Sequence, residues 1–106
     1  MDLSKMMRLV RRKWPWIVER YPEMPAPGPA RKRFQRHHLL WHMMKQLGRL
    51  TAIEERLDHD PAGADPARND ALVKLLINVL QFAMVEGLTP ARLSAALEKY
   101  FDTTPA

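Results

Sequence analysis

Two groups of side chains near the middle of the chain have the types and spacing for metal chemistry. Glu54, Glu55 and Asp58 form an acidic cluster, and carboxylate oxygens are the ligands that Mg²⁺ prefers. His38 and His42 are four residues apart, which places two imidazoles on one helix face, a spacing that can bind a metal. No third or fourth zinc ligand from another segment is indicated for the histidine pair. The acidic cluster lies at the end of a helix beside a loop, where solvated acids are common. The simpler interpretations are a partly buried polar pair and a solvated helix end.

A basic run lies about one third of the way along the chain and consists of Arg31, Lys32, Arg33 and Arg36. Residues 1–50 hold 12 Lys/Arg against 3 Asp/Glu, whereas residues 51–106 hold 5 against 9. A basic half indicates an anionic partner such as nucleic acid, a nucleotide or an acidic protein, unless the acidic half neutralises it. No motif that reads DNA or RNA is present, so the basic run is equally well interpreted as a solvated surface.

Helical spacing of apolar residues predicts the elements that position these side chains. We expect a first helix running from a cap at Asp2 or Ser4 towards residue 14, and the longest helix over 34–58. Asp65-Pro66 and Thr89-Pro90 are cap-plus-proline signatures that start two further helices. Because no strand alternation occurs, the fold class is an all-α bundle of about four helices.

A short helix is expected over 16–21. The segment PEMPAPGPARKR that follows predicts an extended connector, because its prolines and glycine oppose a regular helix. The chain therefore divides into residues 1–33, an N-terminal helical segment with a Pro-rich basic connector, and a helical core over 34–102.

The helix over 66–86 has little polar face, since only Lys74, Asn78 and Gln81 interrupt its apolar middle. We therefore expect it to be buried on most sides by its own fold or a partner chain. The last helix is expected to bury Leu93, Ala96, Leu97 and Tyr100.

The stretches KQLGRL and LLINVLQFAM, followed by a glycine, a short helix and a Lys-containing end, carry a family resemblance over residues 37–101. Their order and length resemble the core of the MazG-type all-α nucleoside triphosphate pyrophosphohydrolases. The resemblance implies a MazG-like helical bundle that forms a homodimer or higher homo-oligomer through its two long helices. It also implies a site in which carboxylates from two facing helices hold Mg²⁺.

The family's carboxylate positions fall on Lys45, Gln46, Arg49, Leu75 and Asn78, and none of these is an acid. The resemblance therefore implies the fold and a nucleotide-shaped groove, with the metal site lost. Our hypothesis is that Lys45, Gln46, Arg49 and Asn78 bind an anion directly through charge-assisted hydrogen bonds. The alternative is that these side chains point to solvent.

We accordingly expect a catalytically degenerate MazG-like protein that binds a nucleotide or another anionic partner through a basic groove and needs no cofactor. One alternative is an active, Mg²⁺-dependent nucleoside triphosphate pyrophosphohydrolase with Glu54, Glu55 and Asp58 as relocated ligands. Another is a small basic interaction protein, such as a mobile-element or phage inhibitor or a nucleic-acid binder. The absence of cysteine, of a secretory signal and of a membrane span predicts a cytoplasmic location.

Overall fold

Four helices and no strand make up the part of the chain that the computed structural model describes, residues 1–60 and 65–105. The helices are α1 (Leu3–Lys13), α2 (Pro29–His59), α3 (Pro66–Val85) and α4 (Pro90–Thr103). The predicted all-α fold of about four helices is confirmed.

Three of the four helices begin at the caps that the sequence predicts. The side chains of Asp2, Asp65 and Thr89 each accept a hydrogen bond from a backbone N–H two or three residues later, at the starts of α1, α3 and α4. Gly87 ends α3 with a φ of +79°, a left-handed conformation that glycine adopts without the Cβ clash of other residues. Local side-chain chemistry thus sets these boundaries.

The second helix starts five residues earlier than predicted, at Pro29, and ends at His59. Proline is tolerated in the first helical turn, where its missing N–H has no partner to lose, and Gly28 before it adopts a φ of +144°. The predicted start at residue 34 is therefore wrong, and residues 29–33 with their basic side chains belong to the helix. Of the predicted loop over 59–65, residues 61–64 lie outside the described residues.

α2 and α3 form an antiparallel hairpin, as the ion pairs between them show. Residues further along α2 pair with residues closer to the start of α3, including its cap. The pairs are Arg36 with Glu86, Arg49 with Asp70, Glu54 with Arg68, and Arg56 with Asp65. This register brings the middle of α2 opposite the middle of α3.

α1 packs against one face of this hairpin, on α3. Met7 and Val10 of α1 are buried against Leu80 of α3, and the partly buried Trp14 and Ile77 extend this cluster. α4 contacts α1 and meets α3 at 109°. The hydrophobic core therefore lies on the α1 side of the hairpin.

The connector between α1 and α2 also packs on the hairpin. Tyr21 and Met24 are buried, and the Tyr21 ring lies 5.0 Å from the imidazole of His38 on α2, centroid to centroid. Residues 18–20 form a turn, with the Tyr21 N–H donating to the Ile17 carbonyl, so the short helix expected over 16–21 does not form. The connector is thereby held over one end of the hairpin.

The last two helices are less buried than predicted. Leu72 and Leu76 of α3 are about half exposed, so the described part of the chain does not by itself bury this helix on most sides, and burial by a partner chain stays a prediction. No residue of α4 is buried, and of its expected buried face only Leu93 packs against the core. Within the described part of the chain, no single helix has the length and apolar character to cross a bilayer.

Candidate functional site

The candidate site is a cavity of about 210 Å³ enclosed by the end of α1, the connector and the α2–α3 hairpin. Its lining residues are Trp14, Arg20, Tyr21, His38, Leu39, His42, Gln46, Lys74, Ile77, Asn78 and Gln81. Two of them are permanent cations, two are histidines and three are amides. No carboxylate is among them, although the chain holds 12 Asp and Glu.

Three amide side chains form the floor of the cavity. Gln46 is only 4% exposed, and its Oε1 accepts a hydrogen bond of 2.8 Å from Nη1 of Arg49. Asn78 Nδ2 donates to Gln81 Oε1 at 3.0 Å. With their carbonyl oxygens engaged, Gln46 and Gln81 keep their NH₂ groups as donors, while Asn78 Oδ1 is buried with no partner among the described residues.

Lys74 lies at the rim of the cavity and shares one carboxylate with a second cation. Its Nζ is 3.0 Å from Asp70 Oδ2, and Nη2 of Arg49 is 3.1 Å from the same oxygen. Hydrogen bonds from Lys74 and Arg49 lower the pKa of Asp70, so this carboxyl is ionised at neutral pH. Two cations against one anion leave this rim with a net positive charge.

The two histidines form the wall of the cavity beneath the connector. Their ring centroids are 4.4 Å apart, and His38 is also within 6.0 Å of the rings of Trp16, Tyr21 and Phe34. Burial, and then the neighbouring His42, lower the pKa of His38, so its imidazole is neutral at pH 7 and can act as donor or acceptor.

The structure brings together two of the four predicted anion-binding residues. Gln46 and Asn78 both line the cavity, from α2 and α3 respectively. Arg49 does not line it but hydrogen-bonds to Gln46, so it positions that amide. Lys45 is exposed and lies outside this cavity, at a shallow depression beside Trp41.

The acidic cluster and the histidine pair do not assemble into a metal site in the described residues. Glu54 pairs with Arg68 at 2.7 Å, and Glu55 and Asp58 are exposed. Across residues 1–60 and 65–105, no group of three His, Cys, Asp or Glu side chains lies close enough to hold a metal ion. The cavity lining has cations and amides but no carboxylate, and therefore lacks the one or two carboxylates through which proteins usually bind Mg²⁺.

The predicted basic surface is partly engaged in structural contacts. Arg36 pairs with Glu86, and Nε of Arg31 donates to the Pro25 carbonyl at 2.8 Å. The Arg36 hydrogen bond lowers the pKa of Glu86. Lys32 and Arg33 are exposed in the first turns of α2. Two of the four residues thus fix α2 to its neighbours.

Seven of the eleven lining residues were not predicted as site residues, and the charged or polar ones among them include Arg20, Tyr21, Lys74 and Gln81. Lys74, Asn78 and Gln81 are the polar interruptions of an otherwise apolar stretch of α3, and their spacing of four and three residues places them on one helix face. That pattern is a signal for a polar site. Arg20 and Tyr21 carried no comparable signal, because their position depends on how the connector folds back.

Comparisons of the chain with protein-family models, with curated proteins and with solved structures found no match. The resemblance to the MazG-type family therefore stays a prediction from the motifs.

Proposed function

We propose that this protein is a binding module that holds a phosphate-bearing ligand, a nucleotide in particular, in the cavity without a divalent metal. The observation that carries the proposal is the lining itself, in which cations, imidazoles and amides meet and no carboxylate occurs. Such a donor set attracts an anion and repels a metal cation.

Each group has a role that its chemistry allows. Lys74 and Arg20 supply positive charge at the rim, and the NH₂ groups of Gln46 and Gln81 donate hydrogen bonds from the floor. The unpartnered Oδ1 of Asn78 is an acceptor, which the ionised oxygens of a phosphate group cannot satisfy because they are acceptors too. A ligand that also offers an N–H or O–H, as a nucleobase or ribose does, satisfies this atom as well.

Isothermal titration calorimetry in excess chelator tests the proposal, with pyrophosphate and a panel of nucleoside triphosphates as ligands. We expect binding that survives the chelator, is tighter for a nucleotide than for pyrophosphate, and weakens in Lys74→Gln. Lys99→Gln is the matched control, because Lys99 is exposed on α4 and does not line the cavity. Absence of binding at millimolar ligand would contradict the proposal.

The same preparation separates the alternative activities. Metal-dependent release of pyrophosphate that disappears in Glu55→Gln would support an active pyrophosphohydrolase with relocated ligands. Salt-dependent binding of nucleic acid that is lost in a Lys32→Gln and Arg33→Gln double variant, with Lys74→Gln unaffected, would support a basic interaction protein.

A further inference from the structure

A second cavity, of about 380 Å³, lies where the end of α1 and the connector meet α2 and α3. Its volume falls in the range of roughly 300 to 1,000 Å³ that is typical of small-molecule sites. It shares Trp14 and Gln81 with the first cavity, that of the candidate site. The apolar side chains of its walls include Val10, Trp14, Trp16, Ile17, Met84 and Val85. Such walls favour a ligand with an apolar body.

Two tryptophans make part of these walls aromatic, and other side chains hold both in place. Trp14 packs against the hydrophobic core between α1 and α3. The Trp16 ring lies 4.8 Å from the ring of Tyr21 and 5.7 Å from the imidazole of His38, centroid to centroid. Because the indoles are fixed before a ligand arrives, a flat aromatic group can pack on them with little loss of side-chain freedom.

The second cavity has one cation, Arg11, which is not neutralised by a carboxylate. Its Nη2 is 3.8 Å from the sulfur of Met84, which is only a weak acceptor and carries no charge. None of the ion pairs in residues 1–60 and 65–105 includes Arg11, and no Asp or Glu lines the cavity. Glu86, which follows the lining residue Val85, is already paired with Arg36. The guanidinium of Arg11 is therefore available to an anionic ligand.

Two amides, Gln35 and Gln81, supply further hydrogen-bonding groups. Gln81 is 7% exposed, and its Oε1 accepts from Asn78 Nδ2 at 3.0 Å, so its NH₂ group remains as a donor. A single guanidinium matches a ligand with a single negative charge, such as a carboxylate, better than a phosphate monoester with nearly two.

We propose that the second cavity binds a small aromatic carboxylate, with its ring against Trp14 and Trp16 and its carboxylate paired with Arg11. A neutral aromatic molecule leaves the guanidinium without a partner, and an inorganic anion leaves the apolar walls in water. Both halves of the lining are used only by a ligand that combines the two features. The proposal does not depend on what the first cavity binds.

Isothermal titration calorimetry with naphthoate and its neutral counterpart naphthamide tests the ligand class. We expect saturable binding of naphthoate, with naphthamide weaker by roughly two- to fivefold, because Arg11 is exposed and an exposed ion pair contributes modestly. Arg11→Gln should remove this difference. Arg12→Gln is the matched control, since Arg12 is exposed on the same helix and does not line the cavity. No binding of naphthoate at millimolar concentration, or equal affinity for acid and amide in the native protein, would overturn the proposal.

A pair of exposed residues in the connector gives a second test that leaves the core intact. Ile17 lines the second cavity and is 44% exposed, whereas Val18 is 55% exposed and does not line it. Ile17→Glu should weaken naphthoate binding by roughly fivefold or more, because the new carboxylate repels the ligand. Val18→Glu should change it less than twofold, and equal weakening by both variants would count against this location.

The indole N–H signals in an NMR titration distinguish the two cavities. Trp16 lines the second cavity and not the first, and Trp41 lines neither of them. Naphthoate should shift the Trp16 signal in a saturable manner and leave the Trp41 signal in place. An unmoved Trp16 signal, with naphthoate binding that Lys74→Gln weakens and Arg11→Gln does not, would place the acid in the first cavity and overturn the proposal.

Discussion

Changing Asn78 to aspartate tests the sign of the charge that the cavity binds. The substitution exchanges an amide for a carboxylate of nearly the same shape, at a position that lines the cavity. A cavity of 210 Å³ corresponds to a sphere of about 3.7 Å radius, so a bound anion lies about 5 Å from the new charge. Coulomb's law at that distance gives a repulsion of about 1 to 3 kcal/mol between effective dielectric constants of 80 and 20, which weakens binding about 5- to 150-fold.

The assay is calorimetric titration of pyrophosphate in chelator at pH 8, where Lys74 one turn earlier favours the ionised form of the new carboxyl. Asn69→Asp is the matched control, because it makes the same charge change on the same helix outside the cavity. We expect less than a twofold effect in this control. Equal weakening by both variants would show that only the overall charge matters, and an unchanged affinity in Asn78→Asp would refute anion binding in this cavity.

Three further predictions concern the scaffold. Met7 is only 2% exposed, so Met7→Ala should lower the free energy of unfolding by about 2 to 5 kcal/mol in urea denaturation. Leu97→Ala, at an exposed residue, should change it by about 0.5 kcal/mol or less, and equal effects of the two variants would contradict the core described above. Gly87 has a positive φ, so Gly87→Ala should destabilise the protein by about 1 to 2 kcal/mol in thermal melts. Gly48 lies inside α2 with open space around it, so Gly48→Ala should stabilise the protein by about 0.5 to 1 kcal/mol, and effects of the same sign would contradict this backbone geometry. Because the pKa of His38 is lowered in the folded protein, the unfolded chain takes up its proton first, so the free energy of unfolding should fall as pH drops below about 6.5. His38→Phe should flatten that dependence between pH 7.5 and 5.5, and an unchanged slope would refute the assignment.

The boundaries of most helices could be predicted because they depend on a few adjacent residues. A cap such as Asp65 acts on backbone two residues away, and Gly87 acts on its own φ. The start of α2 is not visible in the sequence because Pro29 lies in a proline-rich segment and follows Gly28, which has no side chain to cap the helix, although proline is favoured at the first helical position.

Burial was predicted less well because it depends on distant elements. Leu97 and Tyr100 have the spacing of a buried face, yet α4 leaves the bundle at an angle and only Leu93 reaches the core. Gln46 is polar and nevertheless buried, because Arg49 on the same helix satisfies its carbonyl oxygen.

The candidate site was predictable in part for the same reason. Gln46 and Asn78 were placed together by the resemblance, and the polar row on α3 that includes Lys74 was visible in the sequence. Arg20 reaches the cavity only because the aromatic contacts of Tyr21 with His38 hold the connector against α2. Contacts of that kind between separate segments leave no periodic signal in the sequence.

The most direct test of anion binding in the cavity uses two of the chain's three tryptophans. Trp14 lines the cavity, whereas Trp41 is 68% exposed and lies outside it. Their indole N–H groups give separate signals in a ¹⁵N-resolved NMR spectrum. Titration of pyrophosphate in chelator should shift the Trp14 signal in a saturable manner and leave the Trp41 signal in place. A shift confined to Trp41, or none in either signal at millimolar pyrophosphate, would contradict the account.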